Sequence, residues 1–253
     1  MGRADPDEER PPVSRPLAVA ALVAVLVVGL CAGASVLAAD AATDAMQEAY
    51  ASYRVALFRT NGASQAESEQ ALRQAQQAWS RLAERFSAKP PPPYDRDPRF
   101  SASLAEVTAV YARASEQIAA NQLGAAHETL EQARDILAEL RRRNQVIVFS
   151  DHMNAYHAQM ERVIKDGSAM LEQPGGIARL TAESGALGYL AARLVSDAPA
   201  SYAGNDEFVA LADAVRRSVT ELQAALFAQD APAAKAAIRK LKPPYARLFL
   251  KFG

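Results

Sequence analysis

Residues 72–86 read LRQAQQAWSRLAERF. Their apolar side chains, Leu72, Ala75, Trp79, Leu82 and Phe86, recur at spacing 3-4-3-4, the seam of a helix packed antiparallel on its neighbours. A related rhythm returns 108 residues later in LTAESGALGYLAARL, residues 180–194. The correspondence runs without a gap from 64–143 to 172–251. Leu72, Leu82, Pro91, Tyr94, Phe100 and Val107 fall on Leu180, Leu190, Pro199, Tyr202, Phe208 and Val215, while Ile118 and Leu130 fall on Leu226 and Ile238. A repeat of this kind signals a duplicated structural unit.

Working outward, the chain is expected to be all-α: two tandem up-and-down four-helix bundles, 43–143 and 151–253, joined by a linker at 144–150. Asn61-Gly62 stops the first helix, and Ser64 with Glu67 reads as a capping box for the second. Four prolines at 90–93 end that helix by forfeiting backbone donors. Pro232 suits a first helical turn, and Pro243-Pro244 kinks or breaks the last helix. The long connections PPPPYDRDPRF and APASYAGNDEF each carry a Tyr and a Phe six residues apart, placed to seal a bundle end. Glu183 replaces Ala75 in the second copy's seam and needs a partner there, a nearby cation or a metal.

Residues 17–39, LAVAALVAVLVVGLCAGASVLAA, are 23 uncharged residues, long enough to span ~30 Å of hydrocarbon as a helix. Arg3, Arg10 and Arg15 in the tail 1–16 precede the run, whereas Asp40, Asp44 and Glu48 follow it. The positive-inside bias gives N-in, C-out, a single pass through a bacterial inner membrane with the bulk in the periplasm. The sites Val36-Leu37-Ala38 and Ala39-Asp40-Ala41 also fit a cleaved signal, which delivers the same bulk to the same side. With 28 basic and 29 acidic residues, no global field attracts nucleic acid. A lone cysteine, Cys31, excludes an intrachain disulfide and c-type haem attachment. Residues 235–253 interleave cations with apolar and aromatic residues, a pattern that suits anionic lipid or an acidic protein partner.

The duplication works as an internal control. His127, His152 and His157 cluster near the join of the copies, and none has a histidine counterpart. His127 and Glu131 form one His-x-x-x-Glu pair, and His157 and Glu161 a second. Each pair shares one helical face and offers a nitrogen and an oxygen to a divalent ion. If the pairs meet, they make a four-ligand set for iron or zinc, and Met160 or Met153 in reach admits copper or non-covalent haem. A tight hairpin between the helices would hold the histidines apart, and an extended linker would bring them level. The bland reading is two histidines paired with their own carboxylates. A nucleophile–base pair, a phosphate loop and an oxidoreductase fingerprint are absent from the sequence, so no enzyme is expected.

At AHETLEQARDILAELRRRN and the following FSDHMNAYHAQMERV, residues 125–163, the chain resembles poorly characterised bacterial exported helical-bundle proteins. The resemblance implies that His127, Glu131, His157, Met160 and Glu161 act together in metal handling or electron transfer. In architecture the expected fold is similar to four-helix b-type cytochromes and to sensor bundles. The sequence therefore supports a membrane-anchored periplasmic protein with a metal at the repeat junction, or a metal-free scaffold or sensor-like module.

Overall fold

Residues 40–62 and 64–253 are described by a computed structural model. The tail 1–16, the apolar run 17–39 and Cys31 lie outside the described residues. Within those residues the fold is all-α. Helices α1 (Ala41–Thr60), α2 (Gln65–Phe86), α3 (Phe100–Ala119) and α4 (Leu123–Arg143) form the first set. The second set is α5 (Phe149–Met170), α6 (Gly176–Ser196), α7 (Ala200–Ala203), α8 (Asp206–Phe227), α9 (Ala231–Ile238) and α10 (Lys242–Phe252). In the first set α1 packs on α2 and α4, and α3 on α2 and α4, closing a four-helix ring. In the second, α6 lies between α5 and α8, while α9 and α10 share the fourth place. Helix α1 also packs on α10, which ties the sets together.

Local chemistry explains the ends. Asp40 caps α1 by accepting from the Ala42 and Thr43 amides. Ser64 and Glu67 form the expected capping box. Between α3 and α4, Asn121 takes a left-handed φ of 57°, and the Gln122 amide donates to the Gln117 carbonyl at 2.8 Å. At the same offset of 108, Gln229 has φ 55° and the Asp230 amide donates to the Ala225 carbonyl at 2.9 Å. Both are the left-handed stop that satisfies late helix carbonyls. The aromatic plugs match as well. Tyr94 and Phe100 stand 5.2 Å apart between ring centroids, and Tyr202 and Phe208 5.5 Å.

Seam residues Leu72, Ala75, Trp79, Leu82 and Phe86 are buried, as are Leu180, Leu187, Ala191 and Leu194. Each large apolar side chain so buried contributes about 1.5–3 kcal/mol before opposing entropy. Trp79 also donates to the Leu104 carbonyl at 3.2 Å and to Thr108 at 3.1 Å. Glu183 is only half-buried, because Ser184 takes the core position beside it. It accepts from Gln159 at 2.6 Å, with Arg162 4.0 Å away.

One expectation needs correction. The linker 144–150 is shorter than the sequence suggests, since Phe149 and Ser150 belong to α5. Asp151 accepts from the Val148 amide at 3.1 Å and thereby starts the helix early. The connection is a tight turn, with Gln145 left-handed and the Val146 amide donating to the Arg141 carbonyl at 3.0 Å. The extended return path is therefore not taken. The break expected near Pro243-Pro244 is present: the fourth place of the second set is two helices, and the prolines sit in the first turn of α10, where their missing donors cost nothing.

Candidate functional site

A tight turn sets the register of α4 against α5. Arg141 is buried and clasps Asp151, and two turns further along Arg134 donates to His157 Nδ1 at 3.0 Å. Extending this antiparallel register puts Glu131 level with Glu161. His127 then lies about 12 Å of helix rise from the level of His157. The two carboxylates therefore share a level along the seam, with a histidine to either side of it.

The seam holds a cavity of about 50 Å³ with walls from both sets: Leu57 and Phe58 of α1, His127, Glu131 and Arg134 of α4, His157 of α5, and Lys242, Tyr245 and Phe249 of α10. A water's share of liquid volume is ~30 Å³, so the space suits a small group. Phe58 and Lys242 stand at the surface beside it, 40 % and 45 % exposed.

Hydrogen bonds assign the tautomers. His127 Nδ1 lies 3.0 Å from the Leu57 carbonyl and 3.2 Å from Thr60 Oγ1. Thr60 spends its own proton on the α1 carbonyls, the Leu57 carbonyl being 2.9 Å away. Nδ1 of His127 therefore carries the hydrogen. Its Nε2 lone pair faces Glu131 Oε1 at 3.9 Å; that oxygen accepts from Arg134 at 3.5 Å, while Nε2 has no hydrogen-bond donor among the described residues. Burial pushes the His127 imidazole below its ordinary value and keeps it neutral near pH 7.

His157 is wired the other way. A guanidinium only donates, so the Nδ1 lone pair of His157 is consumed by Arg134. Its proton sits on Nε2, aimed at Glu161 Oε1 across 3.6 Å. Glu161 also meets Lys242 at 2.9 Å. The His157 N–H, then Lys242, hold the Glu161 carboxyl down to about 2. Arg134 reaches Glu131 at 3.5 Å and Asp135 at 3.2 Å.

Of the five residues expected to act together, His127, Glu131 and His157 line the cavity. Glu161 is outside the lining and pairs with Lys242. Met160 is a correction: it is fully buried in the core with Met153, because both lie on the α5 stripe that packs inward. No group of three or more His, Cys, Asp or Glu side chains able to hold a metal converges among the described residues.

Sequence reading missed Arg134 and Lys242. They are repeat equivalents, 108 apart, and each grips a polar group of α5. Arg134 was findable, since 127, 131 and 134 share one face of α4. The apolar side of the tail is also spent inside the fold, with Tyr245, Leu248, Phe249 and Phe252 buried. Its cations stay outside, where Lys235 meets Glu172 at 2.8 Å and Lys240 meets Glu221 at 3.3 Å.

No protein-family model, no curated protein and no solved structure matches the chain. Among the described residues no helix is long and apolar enough to cross a membrane.

Proposed function

We propose that this chain is a non-catalytic ligand-binding protein of the bacterial envelope, anchored in the inner membrane by residues 17–39 with its duplicated helical part in the periplasm. The apolar run and the charge bias around it support the address. The bonded turns at Asn121 and Gln229, identical in form at the repeat offset, support duplication of a four-helix unit. The exposed cations of α9 and α10 would face anionic headgroups or an acidic partner.

The observation that carries the binding reading is the His127 Nε2–Glu131 acceptor pair on the wall of a cavity built from both sets. The imidazole lone pair stands beside a carboxylate that Arg134 contacts only at 3.5 Å, which leaves acceptor capacity for a further donor or a cation. A periplasmic protein that closes both helical sets around such a ligand would report or deliver it.

A divalent metal is the second reading, favoured by the His127 ring. Its Nδ1–H is fixed on a backbone carbonyl, the arrangement that orients a ligating histidine. The metal set would then centre on His127 and Glu131, since the lone pair of His157 is taken. Melting of the full chain against small polar molecules and against zinc, copper and iron salts tests both readings. Saturating ligand at about 100 Kd adds ~2.7 kcal/mol, a rise of several degrees for this size. The rise should vanish in His127→Ala. If no member of the panel raises the melting temperature, the scaffold takes the place of the binding protein.

A further inference from the structure

Both signs of charge face the cavity. Glu131, Arg134 and Lys242 line it, and Glu161 pairs with Lys242 from outside the lining. The acceptors His127 Nε2 and Glu131 lie on α4, whereas Lys242 comes from α10. An ammonium has three donors, and Lys242 forms an ion pair with Glu161 at 2.9 Å. Leu57, Phe58, Tyr245, Ala246 and Phe249 supply an apolar lining between the two polar walls.

A lone anion in this space would meet Glu131, and a lone cation would meet Lys242 and Arg134. A molecule carrying both charges satisfies both walls and buries no net charge. We propose that the seam cavity binds the head of an α-amino acid. Its ammonium sits between His127 Nε2 and Glu131, its carboxylate takes the spare N–H groups of Lys242, and its side chain passes out beside Phe58 and Ala246. A space of about 50 Å³ admits the head group and not the whole of a larger molecule. This rests on the reading of the cavity as a ligand site.

Calorimetric titration of the full chain tests it, with leucine, 3-methylbutylamine and 4-methylpentanoate as probes and zinc chloride as a separate arm. Leucine should bind saturably, and each half-molecule about tenfold more weakly or worse, the loss of one charge-assisted contact. Glu131→Gln should weaken leucine and the amine and leave the carboxylate unchanged. Lys242→Met should weaken leucine and the carboxylate and leave the amine unchanged. Circular dichroism confirms that both variants are folded. Binding of the amine as tight as that of leucine, or leucine binding indifferent to both variants, overturns the amino-acid assignment. Zinc binding lost in His127→Ala, without leucine binding, keeps a ligand site and removes this ligand class. Silence of all four probes overturns this proposal and also counts against the site itself.

Discussion

Arg134 donates to His157 Nδ1 at 3.0 Å across the α4–α5 seam, and this contact decides which histidine has a free lone pair. Replacing the guanidinium should create what the native seam withholds. In Arg134→Met both His157 Nδ1 and Glu131 lose their cationic partner. Zinc affinity should rise by about tenfold, while stability falls by about 1–3 kcal/mol from the lost charged hydrogen bonds. Competition titration and urea unfolding read the two effects. Unchanged zinc affinity would show that the wiring of His157 is irrelevant to metal binding.

Arg141 is 1 % exposed, and Asp151 is its ion-pair partner. Asp151→Ala strands a buried cation and should cost about 3–5 kcal/mol. Arg141→Met with Asp151→Asn removes both charges together and should recover at least half of that loss. Urea midpoints compare them, and equal instability of the single and double variants would rule out charge pairing as the source.

Trp79 is the single tryptophan, buried against Leu104 and Thr108 in the first set. Its fluorescence should be that of a shielded indole and should shift red on unfolding. Trp79→Ala should cost about 3–5 kcal/mol through the cavity and the lost bonds. A native spectrum like that of free tryptophan would contradict the burial.

The Glu161 carboxyl is held at about 2 in the fold, below its unfolded value. A depressed carboxylate adds stability that is full above the unfolded value near ~4.3 and is lost as pH falls towards the folded one. Melting temperature should therefore decline between these limits. In Glu161→Gln the decline should be shallower, and modestly so because the group is partly exposed. A variant with the same acid slope would exclude Glu161 from the effect.

Periodicity made the helices legible. The stripes of α2, α3 and α4 and the capping box at Ser64 follow from residues a few positions apart, where spacing alone fixes direction. Comparing the copies also located the seam, through His127 and Glu131. Arg134 and Lys242 escape that comparison, because both copies carry a cation at this position and nothing marks it as unmatched. Lys242 meets Glu161 across 81 positions of sequence, a contact set by packing and not by any local pattern. Among three consecutive arginines ending α4, only Arg141 is buried, a choice made by the tight turn that brings Asp151 beneath it.

Buried Arg54 of α1 donates to the Phe249 carbonyl of α10, joining residues 195 apart. Production of the chain therefore has an order built into it. The first four helices pack on one another and can assemble while the rest is still being made. The cavity cannot exist until Lys242, Tyr245 and Phe249 have been synthesised and have folded back on α1. A nascent or truncated chain would thus carry the histidines and carboxylates without the chamber that encloses them, until the last helix docks.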